Sequence, residues 1–333
     1  METAVINTPI QVLDKILALN LDITIWSARS KLTAEDFGGV NLPPDELASL
    51  GSKKICDPTK IAVFLKLKAR AFSLLDKHGV RFLSGWAIPE DKTSEVVAGL
   101  CSIRDDFYTA KSDFLSSYEA GIADWINRHP TWGSIISNST VSKDYVDKKL
   151  NFSWQLYRVA PATGLPSIQA MEESGLTPEV ENLGETLFDE ISKQAATFWK
   201  RSLKGKTEVS HRALSPLRTM KEKLNSLTFV APHAFPIVNL IETALAKVPA
   251  KGLITGSSLL MIQGMVCILK DKSALIAQAE AMMMLGATDD GFAGFFASYE
   301  EPDPVLNLED KDEEGQEEAP LLPVSHFDSM GLW

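Results

Sequence analysis

The stretch VVAGLCSIRDDFYTAKSDFLSSYEAGIADW, residues 96–125, places apolar residues three or four positions apart. That spacing keeps them on one stripe of a continuous α-helix. The stripe consists of Val96, Leu100, Ile103, Phe107, Ala110, Phe114, Tyr118, Gly121 and Trp125. We expect the helix to run from Glu90 to Arg128, which gives a length of about 58 Å at 1.5 Å per residue.

So long a helix with a narrow apolar stripe needs a partner to cover it. Residues 178–203 and 211–229 both carry apolar residues at helical spacing, and neighbouring elements usually pack together. The sequence therefore favours an antiparallel helical bundle or arm formed within one chain. The alternative is self-association, because the same stripe could pair two copies of the rod into a homo-oligomer.

Shorter patterns predict a small β-sheet. Residues 21–25 alternate apolar and polar side chains, residues 80–88 (VRFLSGWAI) form an apolar stretch before Pro89, and residues 152–159 alternate again. Such segments are typical of strands. Three short strands can form a stable sheet when a helix covers one face.

Further helices are expected on both sides of these strands. Pro9 is suited to open a helix with Ile10, Leu13, Ile16 and Leu17 on one face. Residues 60–78 form an amphipathic pattern followed by a glycine suited to cap it. Residues 235–285 predict three or four shorter helices with breaks near 249–252 and 271.

We therefore expect a mainly α fold: a long antiparallel helical bundle or arm with a small β-sheet at its base, and a disordered acidic C-terminal tail. The predicted domains are a mixed α/β base at 1–89, the helical bundle with a Trp-rich connector and the strand 152–159 at 90–230, a helical C-terminal subdomain at 231–287, and the tail at 288–333.

The chain ends in an acidic stretch followed by an apolar one. Residues 300–318 contain ten acidic residues and one lysine, a composition that cannot bury enough apolar surface to become ordered. Residues 320–333, PLLPVSHFDSMGLW, then carry the anchor-type side chains Phe327, Met330, Leu332 and Trp333. We expect these four residues to bind a partner as a docking peptide on a disordered leash. The alternative is a solubilising tail whose tip folds back on the body.

Charge is concentrated in this tail. The formal net charge is −11, and residues 300–333 supply −10 of it, which leaves −1 for residues 1–299. A near-neutral body argues against an extended phosphate-binding groove. A local basic run remains at Lys200, Arg201, Lys204, Lys206, His211 and Arg212. We interpret it as a solvated helix end, where cations are favourable.

Sequence signatures of catalysis are missing. The chain has no GxxxxGK[ST], GxGxxG, HExxH or GxSxG motif, and its three cysteines and five histidines lack metal-ligand spacing. We expect no catalytic residues, no cofactor and no metal. The unpaired cysteines favour the cytoplasm. The most apolar window, residues 253–269, is too mixed to cross a membrane and predicts a buried helix.

Three tryptophans admit two interpretations. Trp125, Trp132 and Trp154 could form a base-stacking platform for nucleic acid. Their apolar neighbours favour core packing instead. The methionines at 282–284 are likewise interpreted as core-filling side chains rather than as a binding surface.

Two segments resemble a known family. RFLSGWAIPEDKTSEVVAGLCSIRDDF, residues 81–107, and DYVDKKLNFSWQLYRVAPA, residues 144–162, are similar to the hallmark stretches of an uncharacterised bacterial domain-of-unknown-function family. The similarity spans roughly residues 21–287. The resemblance implies a setting in conjugative elements, plasmids and phages, often near genes for a MoxR-type AAA+ ATPase and a von Willebrand factor A protein. It implies no catalytic residues.

Together these observations predict a non-enzymatic adaptor or scaffold that works with an AAA+ ATPase machine and docks partners through its C-terminal peptide. One alternative is a nucleic-acid-handling factor whose acidic tail masks a basic site. Another is a structural protein that self-assembles through the long rod.

Overall fold

The computed structural model describes residues 9–38, 47–48, 50–160 and 175–284. These residues form a mainly helical protein with a small antiparallel sheet. Contacts divide the chain into two units, residues 1–298 and residues 299–333. The finer division at residues 89, 230 and 287 stays a prediction.

The helices and strands follow one another along the chain in this order: α1 Pro9–Asp14, β1 Ile16–Thr24, β2 Arg29–Lys31, β3 Ser52–Lys54, α2 Pro58–His78, β4 Val80–Phe82, β5 Gly85–Pro89, α3 Thr93–Ser116, α4 Tyr118–Arg128, α5 Gly133–Ser137, α6 Lys143–Lys148, β6 Asn151–Tyr157, α7 Leu176–Phe198, β7 Glu208–Val209, α8 Ser215–Ser226, α9 Ala234–Ala246, β8 Ile254–Thr255, α10 Gly256–Leu269 and α11 Lys272–Met284.

Four strands form the main sheet in the order β4–β5–β1–β6, with every neighbouring pair antiparallel. The predicted strand 152–159 is confirmed as β6. The prediction of one strand over 80–88 is wrong, because Leu83 adopts φ 51° and the chain turns back there into the β4–β5 hairpin. The helix predicted to include Ile16 and Leu17 ends at Asp14, because both residues pair with β5.

The sheet separates two hydrophobic cores. Ile16 and Ala18 of β1 face a core built with α1 and α7–α11, whereas Leu19 and Ile23 face a core built with α2, α3 and α4. This alternation follows from the period of two along a strand. The two faces of one strand therefore organise the two halves of the protein.

The apolar stripe of α3 lies in the second core, where it packs on α2. The ring of Phe107 lies 5.0 Å from that of Phe64 in α2, and Val96, Leu100 and Phe107 are fully buried. The expectation that residues 178–203 or 211–229 would cover this stripe is wrong, because both segments contribute to the first core. The long antiparallel pairing of these rods is therefore not the one that forms.

The predicted rod from Glu90 to Arg128 is interrupted once. Ser117 separates α3 from α4, and the hydroxyls of Ser116 and Ser117 both donate to the carbonyl oxygen of Asp113, at 2.8 and 3.0 Å. Such bonds from a serine to the preceding turn compete with the helical ladder and bend helices. The three- and four-residue spacing of apolar side chains continues across Ser117. This spacing alone therefore could not predict the interruption of the helix.

The helices that follow β6 agree with most of their predicted patterns. The stripe of α7, predicted at Val180, Leu183, Leu187, Ile191, Ala195 and Phe198, is buried throughout. α9, α10 and α11 confirm three short helices with breaks at 247–253 and 270–271. In α11 Met282 is buried, but Met283 and Met284 are 42% and 87% exposed, so core filling holds for Met282 alone.

Candidate binding groove

An open, mostly apolar groove lies where the β2–β3 hairpin meets the end of α4. Its cavity volume is about 270 Å³. The groove is lined by Leu32, Phe37, Lys53, Lys54, Trp125, His129, Trp132, Ile135 and Ile136. The name "Trp132 groove" refers to these nine residues below.

One wall of the Trp132 groove comes from α4 and the turns that follow it. The chain leaves α4 at His129 and enters a short 3₁₀ turn at Pro130, whose fixed φ and missing N–H suit a first helical position. The ring of His129 packs 4.2 Å from that of Trp125. Ile136 of α5 is buried behind them, whereas Trp132 is 55% exposed at the rim.

The opposite wall comes from the hairpin and the turn before it. Thr33 and Asp36 form a capping box around a 3₁₀ turn that ends at Phe37. Lys53 of β3 forms an ion pair with Asp36, and this bond lowers the pKa of that carboxyl. The bond fixes the turn so that Phe37 is held 43% exposed beside the groove.

Two polar links join the walls. The indole N–H of Trp125 donates to the carbonyl oxygen of Lys54 at 3.3 Å, and Arg128 donates to Asp57 at 2.7 Å. Asp57 also caps the start of α2 by accepting from the N–H of Thr59. The hydrogen bond from Arg128, followed by those from Thr59, lowers the pKa of Asp57 to about 2. Asp57 therefore stays ionised, and the groove is preformed.

The charged side chains that line the Trp132 groove are all positive. Among the described residues, its lining includes two lysines and no carboxylate. Lys53 is paired with Asp36, whereas Lys54 is exposed and has no ion pair with any residue in the described ranges. The groove thus offers an aromatic surface with one available cation beside it.

The size of this groove limits its chemistry. Sites for small molecules and cofactors usually enclose about 300–1,000 Å³. A volume of about 270 Å³ with aromatic walls suits one or two apolar side chains of a peptide instead. The exposed tryptophan at its rim is of the residue type that dominates protein interfaces.

A second, polar cleft lies near the β5–α3 junction and α8. A cavity of about 640 Å³ is lined by Lys15, Glu90, Asp91, Lys92, Glu222, Asn225, Ser226, Thr228 and Phe229. A smaller cavity of about 70 Å³ lies next to it and shares the lining residues Lys92, Glu222 and Ser226. This smaller cavity is also lined by His78. Several charges of the cleft are paired, as Glu90 is with Arg158.

His78 is the unusual group of this cleft. Its Nε2 is buried without a hydrogen bond to any described residue and lies 3.5 Å from Oε1 of Glu95. Burial lowers the pKa of His78, and the charge of Glu95 opposes that shift. The ring is therefore neutral near pH 7. Across the described ranges no group of three His, Cys, Asp or Glu side chains is placed to hold a metal ion.

The structure brings together two of the three predicted tryptophans. Trp125 and Trp132 line one groove, whereas Trp154 lies on β6 with the guanidinium of Arg104 over its ring at 5.5 Å. The prediction that all three serve core packing is wrong for Trp132. Leu32 and Phe37 were missed, because nothing local in the sequence shows that the hairpin meets α4.

The predicted docking residues Phe327, Met330, Leu332 and Trp333 lie outside the described residues. Their role stays a prediction. Among the helices that the structure describes, none has the length and apolar composition needed to cross a membrane.

In a comparison with known proteins, the chain matches a protein family. A model described as "Protein of unknown function (DUF3150)" matches residues 13–271. The match confirms the resemblance to a family of unknown function. No curated protein and no solved structure shows significant similarity to the chain.

Proposed function

This chain belongs to the DUF3150 family of proteins of unknown function, and we propose that it is a non-enzymatic adaptor that binds other proteins through the Trp132 groove and through its C-terminal peptide. The proposed setting is a bacterial mobile element in the cytoplasm. The proposed partners are a MoxR-type AAA+ ATPase and a von Willebrand factor A protein. The setting and the partners rest on the family resemblance of residues 81–107 and 144–162.

The proposal rests on two exposed aromatic side chains, Phe37 and Trp132. They lie on opposite walls of the groove, and hydrogen bonds hold these walls together. Large aromatic side chains that stay exposed around a preformed depression are the usual anchors of protein interfaces. Because the walls are joined by the Trp125–Lys54 and Arg128–Asp57 bonds, little ordering entropy remains to be lost when a partner binds.

The chemistry of the groove defines its occupant. We assign it to a partner segment with one large apolar anchor and an acidic residue beside it. The anchor fills the aromatic depression, and the carboxylate reaches Lys54, whose charge no described residue neutralises. A charge at the rim of an interface mainly increases the association rate and the specificity for the partner.

An adaptor needs a second binding site for another protein. In this proposal the predicted C-terminal docking peptide is that second site. Phe327, Met330, Leu332 and Trp333 follow a run of ten acidic residues. A flexible acidic leash extends the reach of such a peptide and steers it toward a basic partner surface.

The test uses the two named partners. The tagged full-length chain is co-expressed with the ATPase or the von Willebrand factor A protein of the same element, and the complex is isolated by affinity and size-exclusion chromatography. The groove variant is Phe37→Ser with Trp132→Ser. The matched control is Phe235→Ser with Leu260→Ser, since these residues are 54% and 64% exposed and lie on α9 and α10.

We expect the groove variant to lose at least one partner and the control to keep both. Deletion of residues 325–333 should remove capture by the tail while leaving the melting temperature nearly unchanged. Two partners retained by the groove variant would show that the groove is not a docking site. Capture that survives the deletion would remove the role of the peptide.

A further inference from the structure

A second surface of the protein is rich in exposed cations. The name "basic segment" refers to residues 199–218, which contain six cations and one acid. The exposed cations are Lys200, Arg201, Lys204, Lys206, Arg212 and Arg218, together with Lys270, which directly follows α10. None forms an ion pair with a residue in the described parts of the chain, whereas Arg70, Arg128 and Lys272 elsewhere do.

The concentration of charge is large for this body. Residues 1–299 together carry −1, and the basic segment alone carries about +5, so the remainder carries about −6. α7 leads into the segment with acids in its first half, such as Glu179, Glu181 and Glu185. Such a separation of charge orients an approaching polyanion toward one end of the molecule.

The backbone of the basic segment is firmly attached to the core. Leu203, Val209 and Leu214 are buried between the cations, and β7 pairs with β8. Gln263 of α10 donates from Nε2 to the carbonyl oxygens of Leu203 and Lys206, each at 3.1 Å. The apolar residues of the segment are therefore buried, and its cations are exposed.

The preference of helix ends for charge explains part of this pattern. Cations are favourable at a helix C-terminus, and Lys200, Arg201 and Lys204 follow α7 in this way. Arg212 and Arg218 lie at the N-terminal end of α8, where the helix dipole disfavours cations. Arg218 instead donates weakly to the carbonyl oxygen of His211, at 3.4 Å. The helix dipole therefore does not explain the position of these two arginines.

An aromatic ring completes the surface. Trp199 is half-buried at the start of the segment, and the ammonium of Lys270 lies over its ring, 4.8 Å from the centroid. This contact places Lys270, as a seventh cation, beside the start of the basic segment. It also holds the ring and the cation in one geometry.

We propose that the basic segment and Lys270 bind the phosphate backbone of a nucleic acid without sequence specificity. Exposed cations spread along one chain segment match a linear series of phosphates better than one small anion, which needs convergent donors. A lipid bilayer fits less well, because Leu203, Val209 and Leu214 are buried in the core and are not available for insertion. This site is separate from the Trp132 groove and does not depend on the adaptor function.

The experiment measures fluorescence anisotropy of a labelled single-stranded DNA and of the corresponding duplex. Both are titrated with the full-length chain and with a chain ending at Ser298, since residues 1–298 form a compact unit by themselves. The shorter chain lacks the ten acidic residues of 300–318, so comparing the two chains shows whether these acids compete with phosphate for the cations. Titrations at several salt concentrations show how many phosphates are neutralised, because the logarithm of the affinity falls by about 0.7–0.9 per phosphate for each tenfold rise in salt.

Two variants distinguish this surface from general charge. One replaces Lys200, Arg201, Lys204 and Lys206 with glutamine. The matched control replaces Lys60, Lys66, Lys143 and Lys148, which are also exposed and have no ion pair with a described residue. Circular dichroism and melting temperature verify that each variant is folded.

We expect salt-dependent binding in at least one of the two chains. The four substitutions in the basic segment should weaken it by more than about tenfold and reduce the salt slope by about one for each phosphate that is no longer neutralised. The control should change it by less than about threefold. Absence of binding in both chains, or equal weakening in the two variants, overturns the proposal. Binding to anionic vesicles without binding to DNA overturns it as well.

Discussion

The ammonium of Lys223 lies 2.6 Å from Oε2 of Glu190, and its side chain is fully buried. The same ammonium donates to the carbonyl oxygen of Asp76 at 2.7 Å. Lys223 belongs to α8, Glu190 to α7 and Asp76 to α2, so one cation links the helices on the two sides of the sheet. The other oxygen of Glu190 accepts from the N–H of Arg81 in β4 at 3.1 Å.

Truncation of Lys223 should strongly destabilise the protein. Lys223→Ala leaves the carboxylate of Glu190 without its counter-ion, and breaking a buried pair in this way costs about 3–5 kcal/mol. We expect the free energy of unfolding, measured with urea, to fall by about that amount. The control is Lys221→Ala, because Lys221 forms a more exposed ion pair with Glu242 at 3.3 Å. This substitution should lower the free energy of unfolding by at most about 1 kcal/mol. Equal losses in the two variants would show that the buried link is not important.

Two glycines should respond in opposite ways to a methyl group. A Cβ at Gly85 would lie 2.1 Å from the carbonyl oxygen of Leu19 on the neighbouring strand β1. Gly85→Ala must therefore push β5 away from β1, at a cost of about 1–3 kcal/mol. A Cβ at Gly121 in α4 would meet no atom of the described residues within 4 Å. Gly121→Ala should stabilise the protein by up to about 1 kcal/mol, because alanine favours the helix. Chemical denaturation measures both, and a stable Gly85→Ala variant would contradict the strand packing.

Local periodicity predicted those elements whose neighbours agree with it. The helix at 60–78, the buried stripe of α7 and the strand β6 were all visible in the sequence, because one burial pattern dominates each. Ile16 and Leu17 continue a helical pattern yet pair with Pro89 and Ile88 in the sheet. Register of this kind depends on residues in a distant part of the chain, which no local window contains.

The candidate site was less predictable for the same reason. Trp125 and Trp132 stand out in the sequence as aromatic residues, but their apolar neighbours suggested burial. The other wall of the groove includes Phe37, which a hairpin distant in sequence brings beside them. The partner of the α3 stripe was also mispredicted. It is α2, which precedes α3 with the β4–β5 hairpin between them, whereas the predicted partners lie later in the chain.

The stability of the protein should decrease in mild acid because of His78. Burial keeps the pKa of His78 below its ordinary value near 6.5. Below that pH the unfolded chain binds a proton at this residue while the folded chain does not, so the free energy of unfolding falls as the pH falls. One proton limits the slope to about 1.4 kcal/mol per pH unit. The groups facing His78 are Lys77, Lys92, Glu95, Glu222 and Lys223.

Urea denaturation of His78→Gln between pH 7.5 and pH 5 tests this expectation. The variant should lose the part of the pH dependence that lies just below pH 6.5. His233→Gln is the control, since His233 is half-exposed and lies 3.7 Å from Glu280. Asp57 does not interfere, because its pKa of about 2 affects stability only below about pH 4. A slope unchanged by His78→Gln would show that its ring is protonated or solvated in the folded protein.

The apolar stripe of α3 should stabilise the single chain rather than an assembly of chains. Leu100 and Phe107 are fully buried, so self-association through the stripe would require α3 to separate from α2. Leu100→Ala should therefore lower the free energy of unfolding by about 2–5 kcal/mol without changing the molar mass in solution. Light scattering over a range of protein concentrations measures the mass, and urea denaturation measures the stability. If wild-type mass rises with concentration and Leu100→Ala abolishes that rise while remaining folded, the stripe is an interface between copies.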